Sequence, residues 1–325
     1  MRFLRMIIII ILFLFVFLMW DVNRFFISPV QLPENRLIIA PGDGYLNFRE
    51  RLLFANNAVF DDFYYRAYTY IYGGVVKPGV RVFVDASLGE VLESLTGEPA
   101  HVLIRLPEGE RMEFFAARLS DFGIVPKDKM LACFKSCQKS DYASFFSAES
   151  GYEGFLFPDT YSFMPNSSPE EILEKLLENF KTRFDPLAKK YAAFLRDRSL
   201  RDVVIIASLL EREAKTLEDK RIIAGILYAR LAKNIRLDVD ATVLYIKGDW
   251  RAVLTMSDLS SNSLYNTRRV KGLPPGPICN PGLESLEAAL SPQTTSYLFY
   301  LTGSNGEMYY AKTLEEHNVN KQNYL

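Results

Sequence analysis

The sequence predicts an α+β protein that consists of an N-terminal transmembrane helix, small β-turn-α modules and a C-terminal mixed α/β domain. Three observations predict this class. An unbroken apolar run lies near the start of the chain, and two later stretches repeat a strand-turn-helix pattern. A helical hairpin then precedes a pair of C-terminal strands. The 325 residues are 49% hydrophobic, which is enough apolar material for packed domains.

Composition excludes several classes of function. The chain has 38 Lys and Arg against 39 Asp and Glu, whereas a general nucleic-acid binder needs a basic excess to meet phosphates. Two histidines and three cysteines offer few metal ligands, and Cys133, Cys137 and Cys279 are most simply small packing residues. No P-loop, GxGxxG, GxSxG or HExxH motif is present. We therefore expect no metal, no cofactor and no nucleic-acid partner, and carboxylates and hydroxyls must carry any chemistry.

The N-terminal apolar run extends from Met6 to Trp20, and neighbouring apolar residues bring it near the roughly 20 residues that span a bilayer. Arg2 and Arg5 precede the run. This positive bias predicts a helix with its N-terminus in the cytoplasm and the remaining chain outside. A cleaved signal peptide is the alternative, but no small-residue cleavage motif follows Trp20. The sequence therefore favours an uncleaved anchor.

The repeated pattern covers residues 37–60 and 102–125, with a partial third copy at 76–97. Each copy is predicted to form a strand, a Pro-Gly turn and a short amphipathic helix. Units of this kind commonly bind or position polymers. A helix-covered sheet with no ligand explains the pattern equally well.

Turn signals in residues 153–168 mark a domain boundary. Ser168 and Glu171 then form a capping box that starts a helix, with Pro169 at its first position. The later elements are a helical hairpin, a strand pair and a terminal helix, predicted at 200–215, 219–233, 297–301, 308–311 and 313–325.

The candidate chemistry lies at the end of the first hairpin helix, where Glu211 and Glu213 occur in the sequence ASLLEREAK. A carboxylate there faces the negative end of the helix dipole, and Glu213 shares a face with Ile206 and Leu209. The helix dipole and the loss of solvation on an apolar face both raise the pKa of such a carboxyl toward the range that a general acid needs. The alternative is that both glutamates form ion pairs with nearby Lys and Arg. This physical argument separates the two glutamates only weakly.

A second cluster is the Pro- and Gly-rich segment 264–282, which predicts a rigid surface loop. Tyr265, Asn266 and Thr267 in this loop supply donors and acceptors suited to sugar or peptide recognition. Asp238 and Asp240 could form a carboxylate pair or a cation site, but the lack of further oxygen ligands favours a solvated loop. His317 is expected to be a surface or hydrogen-bonded histidine rather than a base.

Several motifs resemble the YceG-like endolytic murein transglycosylases. They occur in the family's order and spacing: EGFLFPDTY (153–161), ASLLEREA (207–214), RLDVDATVLY (236–245), YNT (265–267), GLPPGPI (272–278), NPG (280–282) and EHN (316–318). The resemblance implies five regions: a cytoplasmic N-terminus (1–5), a transmembrane anchor (6–22), a linker (23–36), LysM-like modules (37–150) and a catalytic domain (151–325).

The resemblance also implies an activity and its residues. Such a lytic transglycosylase cleaves the β-1,4 bond between N-acetylmuramic acid and N-acetylglucosamine in nascent strands and leaves a 1,6-anhydro end. Glu213 would be catalytic, with supporting or substrate-binding residues Glu211, Asp240, Tyr265, Asn266 and Thr267. The expected location is the inner membrane, with the catalytic domain on the periplasmic side. Peptidoglycan strands and peptidoglycan synthases are the implied partners.

The chain departs from the family pattern at Ala241, where proline is usual, at Met308, where histidine is frequent, and at Val239, where a polar residue is common. Two other functions remain open from the sequence. One is a non-catalytic glycan-binding scaffold of the elongation machinery. The other is a hydrolase, or muramidase, that uses two carboxylates.

Overall fold

The computed structural model describes residues 2–30, 36–39, 42–45, 47–48, 52, 61–82, 86–97, 102–165 and 167–325. The chain divides into two compact units. The N-terminal unit comprises Met1–Ile104, Leu119–Pro126 and Ser162–Ser167, and the C-terminal unit comprises Arg105–Arg118, Lys127–Tyr161 and Ser168–Leu325. The division at residue 150 that the sequence suggests stays a prediction.

The first helix, α1 (Arg2–Ile27), contains the predicted apolar run. Its segment Met6–Ile27 is long and apolar enough to cross a membrane. Every side chain from Met6 to Trp20 is exposed, so this apolar stretch does not contribute to a protein core among the described residues. The helix continues beyond residue 22, so the first part of the predicted linker 23–36 is helical.

The N-terminal unit has a small core beneath a two-stranded antiparallel sheet. The sheet pairs β1 (Arg36–Ile39) with β2 (Gly79–Val82). The helices α2 (Asp61–Ile71) and α3 (Leu88–Ser94) contribute to the same core. The buried side chains come from the end of α1, both helices and the sheet, and include Phe25, Leu37, Ile39, Tyr64, Tyr65, Leu88, Val91 and Leu92. The last turns of α1 thus pack against protein, whereas the side chains from Met6 to Trp20 are exposed.

The strand-turn-helix pattern is present in two of the three predicted copies. The copy at 102–125 forms β3 (Val102–Leu106) and α4 (Met112–Asp121), and the partial copy at 76–97 forms β2 and α3. Gly123 ends its copy at φ +67°, and a Cβ there would lie 2.7 Å from a methyl group of Ile38. Residues 53–60 of the remaining copy lie outside the described residues. A LysM-like identity for these modules stays a prediction.

The C-terminal unit begins with an aromatic core. Its elements are α5 (Lys127–Ser136), a 3-10 helix (Ser140–Phe145), α6 (Pro169–Lys190) and α7 (Ala192–Leu195). The strand β4 (Asp159–Phe163), which pairs with β3, has only its first three residues in this unit. The predicted capping box of Ser168 and Glu171 starts α6. Phe180 of α6 packs on Phe145 and Phe155, with ring centroids 5.3 and 5.1 Å away.

The remaining elements surround the predicted hairpin. They are α8 (Leu200–Glu213), α9 (Leu217–Ala232), α10 (Asp240–Lys247), α11 (Met256–Leu259), α12 (Leu283–Leu290), β5 (Phe299–Thr302), β6 (Met308–Ala311) and α13 (Leu314–Tyr324). Every residue of α8 from Val203 to Leu210 is buried. The helix α12 packs against both α8 and α9, and β5 pairs antiparallel with β6.

The expectation of a surface loop at 264–282 is wrong for its second half, because Gly276 to Gly282 are buried. A buried loop is stable only if its backbone polar groups find partners. Here the Ile278 N–H donates to the Ser208 hydroxyl at 3.1 Å, and the Asn280 N–H donates to the Glu110 carbonyl at 2.9 Å. Proline- and glycine-rich composition therefore does not indicate exposure here, and the rigidity of the loop stays a prediction.

Candidate active site

Glu213 is the last residue of α8 and opens into a cavity of about 290 Å³. The walls come from the segments around α10 and residue 268, from β5, and from α13. Besides Glu213 the lining residues include Arg230, Leu237, Asp238, Asp240, Arg268, Phe299, Tyr300, His317 and Lys321. The end of a rigid, buried helix thus holds one carboxyl group beside an open, polar space.

Opposing influences set the pKa of Glu213 to about 7, above the ordinary value of 4.5. Burial is the largest cause, and the negative charge of Asp240 acts in the same direction. The Tyr300 hydroxyl and the Ala241 N–H both donate to the carboxylate, and with the charge of Arg212 they restrain the rise. At pH 7 the carboxyl is therefore roughly half protonated, against about one molecule in 300 for an ordinary carboxyl.

Glu211 has a different environment although it lies only two residues away. Its Oε2 accepts the Gly282 N–H at 3.0 Å and the Ser285 hydroxyl at 2.6 Å. The buried Lys220 ammonium lies 3.7 Å from the same oxygen. Glu211 therefore caps the N-terminus of α12, where a negative charge is favoured, and ties α12 to the end of α8.

Asp240 lines the cavity and is more than half exposed. Its carboxylate contacts the Arg268 guanidinium, which also lies 3.5 Å from Asp238. Thr267 holds this segment in place, because its carbonyl accepts the Asp238 N–H and its hydroxyl accepts the Val239 N–H, each at 3.1 Å. Asp240 therefore belongs to the cavity directly, whereas Thr267 supports it from behind.

Tyr265 and Asn266 are not among the residues that line the cavity in the described part of the chain. The buried Asn266 amide donates to the carbonyls of Leu259 and Ser261, at 3.1 and 2.8 Å. The Tyr265 ring packs on Tyr245 with the centroids 4.9 Å apart. The structure thus brings Glu213 and Asp240 together and places these two side chains in the supporting loop.

Several cavity residues are not evident from the sequence. Tyr300 lies in an ordinary strand pattern, and no local signal marks it. The buried Arg230 donates to the carbonyls of Leu298 and Leu237, both at 2.7 Å, and so joins β5 to the segment before α10. His317, from the EHN motif, stacks on Phe299 at 5.3 Å, and its Nδ1 has no hydrogen-bond partner within the described ranges. That motif was the one signal that could have placed His317 at the site.

A second buried glutamate, Glu153 of the EGFLFPDTY motif, lies apart from the cavity. It accepts the Met112 N–H at 3.1 Å and the Asn280 side-chain amide at 2.8 Å. Burial, together with the negative charge of Glu113, raises the pKa of Glu153 to about 8. Since these contacts join α4 to the NPG turn, Glu153 is a structural residue in this arrangement.

The three cysteines form one disulfide and leave one buried thiol. Cys133 and Cys137 lie near Glu170, so that three potential metal-ligand atoms fall within 4.8 Å of one another. The two sulfurs are joined as a disulfide, a pairing that the sequence left open. Cys279 is a buried thiol whose sulfur donates to the Ser208 carbonyl at 3.3 Å.

Comparisons with known proteins agree with one another. The profile of the YceG-like family matches residues 39–323. An endolytic murein transglycosylase of Bacillus subtilis is 39% identical over 175 residues, which are 53% of this chain and 48% of that protein. A protein of the same description from Streptococcus pneumoniae is 25% identical over 76% of this chain and 46% of that protein. The chain therefore spans about half the length of the curated relatives it matches.

A solved structure is also similar. The crystal structure of a YceG-like protein from Listeria monocytogenes superposes with a TM-score of 0.61 at 28% identity. The match covers 88% of this chain and 99% of that one. The mixed α/β architecture is therefore shared with a protein of the same family description.

Proposed function

The chain belongs to the YceG-like family, and on that premise we propose that it is a lytic transglycosylase that cleaves peptidoglycan. The bond would be the β-1,4 linkage between N-acetylmuramic acid and N-acetylglucosamine. The observation that carries this proposal is Glu213, a carboxyl with a pKa near 7 beside a polar cavity. The names of the relatives from Bacillus and Streptococcus supply the substrate class.

The reaction needs one group that first donates and then accepts a proton. Protonated Glu213 gives its proton to the glycosidic oxygen as the bond to C1 of the muramic sugar breaks. The C6 hydroxyl of the same sugar then forms a bond to C1, and its proton passes to the Glu213 carboxylate. Because the nucleophile is already part of the substrate, proximity replaces an activated water. The product is a 1,6-anhydro sugar, and the enzyme ends in its starting state.

A pKa close to neutrality suits both halves of this cycle. The Tyr300 hydroxyl and the Ala241 N–H stabilise the carboxylate that exists between the two proton transfers. Asp240 contributes negative charge near the positive charge that develops at C1, and Arg268 contacts its carboxylate. Glu211 acts as a positioning residue because it fixes the end of α8 against α12.

The location and the partners follow from the same proposal. The helix α1 would anchor the chain in the inner membrane with its N-terminus in the cytoplasm and the catalytic domain on the periplasmic side. The strand-turn-helix modules would contact glycan in the manner of LysM-like units. Such an anchored enzyme would meet nascent strands, and peptidoglycan synthases would be its neighbours.

A two-carboxylate muramidase is the second candidate, because Asp240 lines the same cavity as Glu213. The engagement of Asp240 with Arg268 weighs against a nucleophile or base role. Product mass separates the two reactions, since hydrolysis adds a water and transglycosylation does not. A scaffold without activity would give neither product.

The test uses the full chain in detergent micelles with uncrosslinked glycan strands and mass spectrometry of the fragments. Wild type should release anhydro-terminated fragments, and Glu213→Gln should release none, because the amide keeps the shape but supplies no acid. Asp240→Asn serves as the comparison and should lower the rate without changing the product. Full activity of Glu213→Gln would refute the site, and hydrated ends would establish the muramidase.

A further inference from the structure

A second concavity of about 400 Å³ lies in the C-terminal unit. We call it the arginine groove, and its lining residues are Arg236, Met256, Leu259, Ser260 and Arg269. Met256 is 80% exposed, and both arginines are exposed. The groove therefore combines two cations with an accessible apolar wall.

The groove and the cavity are built on the same two chain segments. Arg236 precedes Leu237 and Asp238, which line the cavity, and Arg269 follows Arg268, which also lines it. Consecutive Cα atoms are about 3.8 Å apart, so the backbone that carries one lining lies next to the backbone that carries the other in both segments. The hydrogen bond from the Asp238 N–H to the Thr267 carbonyl holds the two segments together.

The arginines of the groove differ from Arg268 in their charge environment. Arg268 meets both Asp238 and Asp240. Neither Arg236 nor Arg269 forms an ion pair with any carboxylate in the described part of the chain. The Arg269 guanidinium donates to the Ser260 carbonyl at 2.8 Å, which fixes the position of the side chain and leaves its charge uncompensated. The groove thus presents two positive charges that an anionic ligand could neutralise.

We infer that the arginine groove binds the peptide stem of the glycan whose muramic sugar occupies the Glu213 cavity. This inference rests on the proposed function. A stem peptide hangs from the muramic sugar itself and carries free carboxylates and alanine methyl groups. The carboxylates match Arg236 and Arg269, and the methyl groups match Met256 and Leu259. A substrate with its stem would therefore be held at two adjacent sites, and a stripped glycan at one.

An anionic lipid headgroup would also be attracted to two arginines. The stem is favoured because the groove adjoins the cavity along both of its segments, and a stem leaves the sugar at that short range. A lipid headgroup is not attached to the reacting sugar, so the position of the sugar would not place it at the groove. The two ligands give opposite results in the experiment below.

The experiment compares the full chain with Arg236→Gln/Arg269→Gln in detergent micelles. The substrates are uncrosslinked glycan with its stems and the same glycan after an amidase has removed them. Wild type should prefer the stem-bearing glycan, and the double variant should lose about tenfold in kcat/KM on it, chiefly through KM. The rate on stripped glycan should not change. Arg196→Gln/Lys233→Gln, which removes two exposed charges elsewhere, should behave as wild type.

The inference is overturned if wild type treats both glycans alike, or if the double variant loses equally on both. Titration of a muramyl tripeptide into Glu213→Gln, with and without the two arginine substitutions, measures binding to the groove in the absence of catalysis. Weaker binding in the substituted protein supports the inference even if the proposed reaction fails, and unchanged binding overturns it. Vesicles containing phosphatidylglycerol are the last probe. Because α1 would bind any vesicle on the proposed function, the quantity compared is the excess of binding to these vesicles over phosphatidylcholine vesicles. Loss of that excess in the double variant, with an intact stem preference, would assign the groove to lipid and overturn the inference.

Discussion

Tyr300→Phe tests whether a hydroxyl from β5 sets the acidity of Glu213. The substitution keeps the ring and removes the O–H that donates to the Glu213 carboxylate. A hydrogen bond to a charged group contributes roughly 1.5–3 kcal/mol, and one pKa unit corresponds to about 1.4 kcal/mol. Loss of the donor should therefore raise the pKa of Glu213 by about one to two units above its value near 7.

The assay is the pH dependence of kcat/KM on uncrosslinked glycan. Because protonated Glu213 is the reactive form, activity should fall as pH rises through about 7 in wild type. In Tyr300→Phe this alkaline limb should move upward by about one to two pH units. The rate on the acidic plateau should fall, since the carboxylate formed in the transition state has lost a donor.

The control is Tyr310→Phe in the neighbouring strand. The Tyr310 hydroxyl donates to Asp219 at 2.6 Å, and Tyr310 does not line the cavity within the described residues. Its removal should leave the alkaline limb in place. If the limb of a folded Tyr300→Phe protein stays at the wild-type pH or moves downward, the account of Glu213 acidity is refuted.

Three further predictions concern the support of the site and the stability of the fold. Ala241→Pro removes the backbone N–H that donates to Glu213 and should also shift the alkaline limb upward in the same assay, and proline is tolerated in a first helical turn. Glu211→Ala leaves the buried Lys220 without its partner and should lower the free energy of unfolding by roughly 3 kcal/mol in a urea titration; an unchanged midpoint would contradict the capping role. Glu153 keeps its proton to about pH 8 when folded but releases it near 4.5 when unfolded, so stability should fall as pH rises across that window. Glu153→Gln should reduce this slope by about 1.4 kcal/mol per pH unit, and identical slopes for both proteins would disprove the buried acid.

Local sequence patterns predicted the features that depend on neighbours along the chain. The capping box at Ser168 follows from spacing alone, and the structure confirms it. The buried face of α8 follows from its apolar run from Val203 to Leu210. The apolar helix at the N-terminus is equally a matter of composition. In each case the residues that make the contact lie within one or two turns of each other.

Features that depend on distant chain segments were not accessible in this way. Tyr300 reaches Glu213 from a strand 87 positions later in the numbering, and nothing in the strand pattern distinguishes it from Tyr309 or Tyr310. The 276–282 segment looked exposed because its partners, Ser208 and Glu110, are remote in sequence. Long-range hydrogen bonds decide both points, and periodicity carries no information about them.

The E-x-E spacing illustrates how local geometry and tertiary contacts combine. Residues two apart on an α-helix differ by roughly 200° in direction, so Glu211 and Glu213 must face nearly opposite sides of α8. The sequence could not decide which side holds the cavity. The structure places the Gly282 N–H and the Ser285 hydroxyl on one side and the Tyr300 hydroxyl on the other.

This division of roles has a mechanical consequence. Glu211 joins the last turn of α8 to the start of α12. A shift of α12 would therefore move Glu211 and, with it, Glu213 in the same helical turn. A positional change alters the distance from Glu213 to the Tyr300 and Ala241 donors and thereby its pKa. Ser285→Ala removes one of the hydrogen bonds to Glu211. On uncrosslinked glycan it should therefore lower kcat and change KM by a smaller factor. A change confined to KM would show that α12 contributes to substrate binding and not to the placement of the acid.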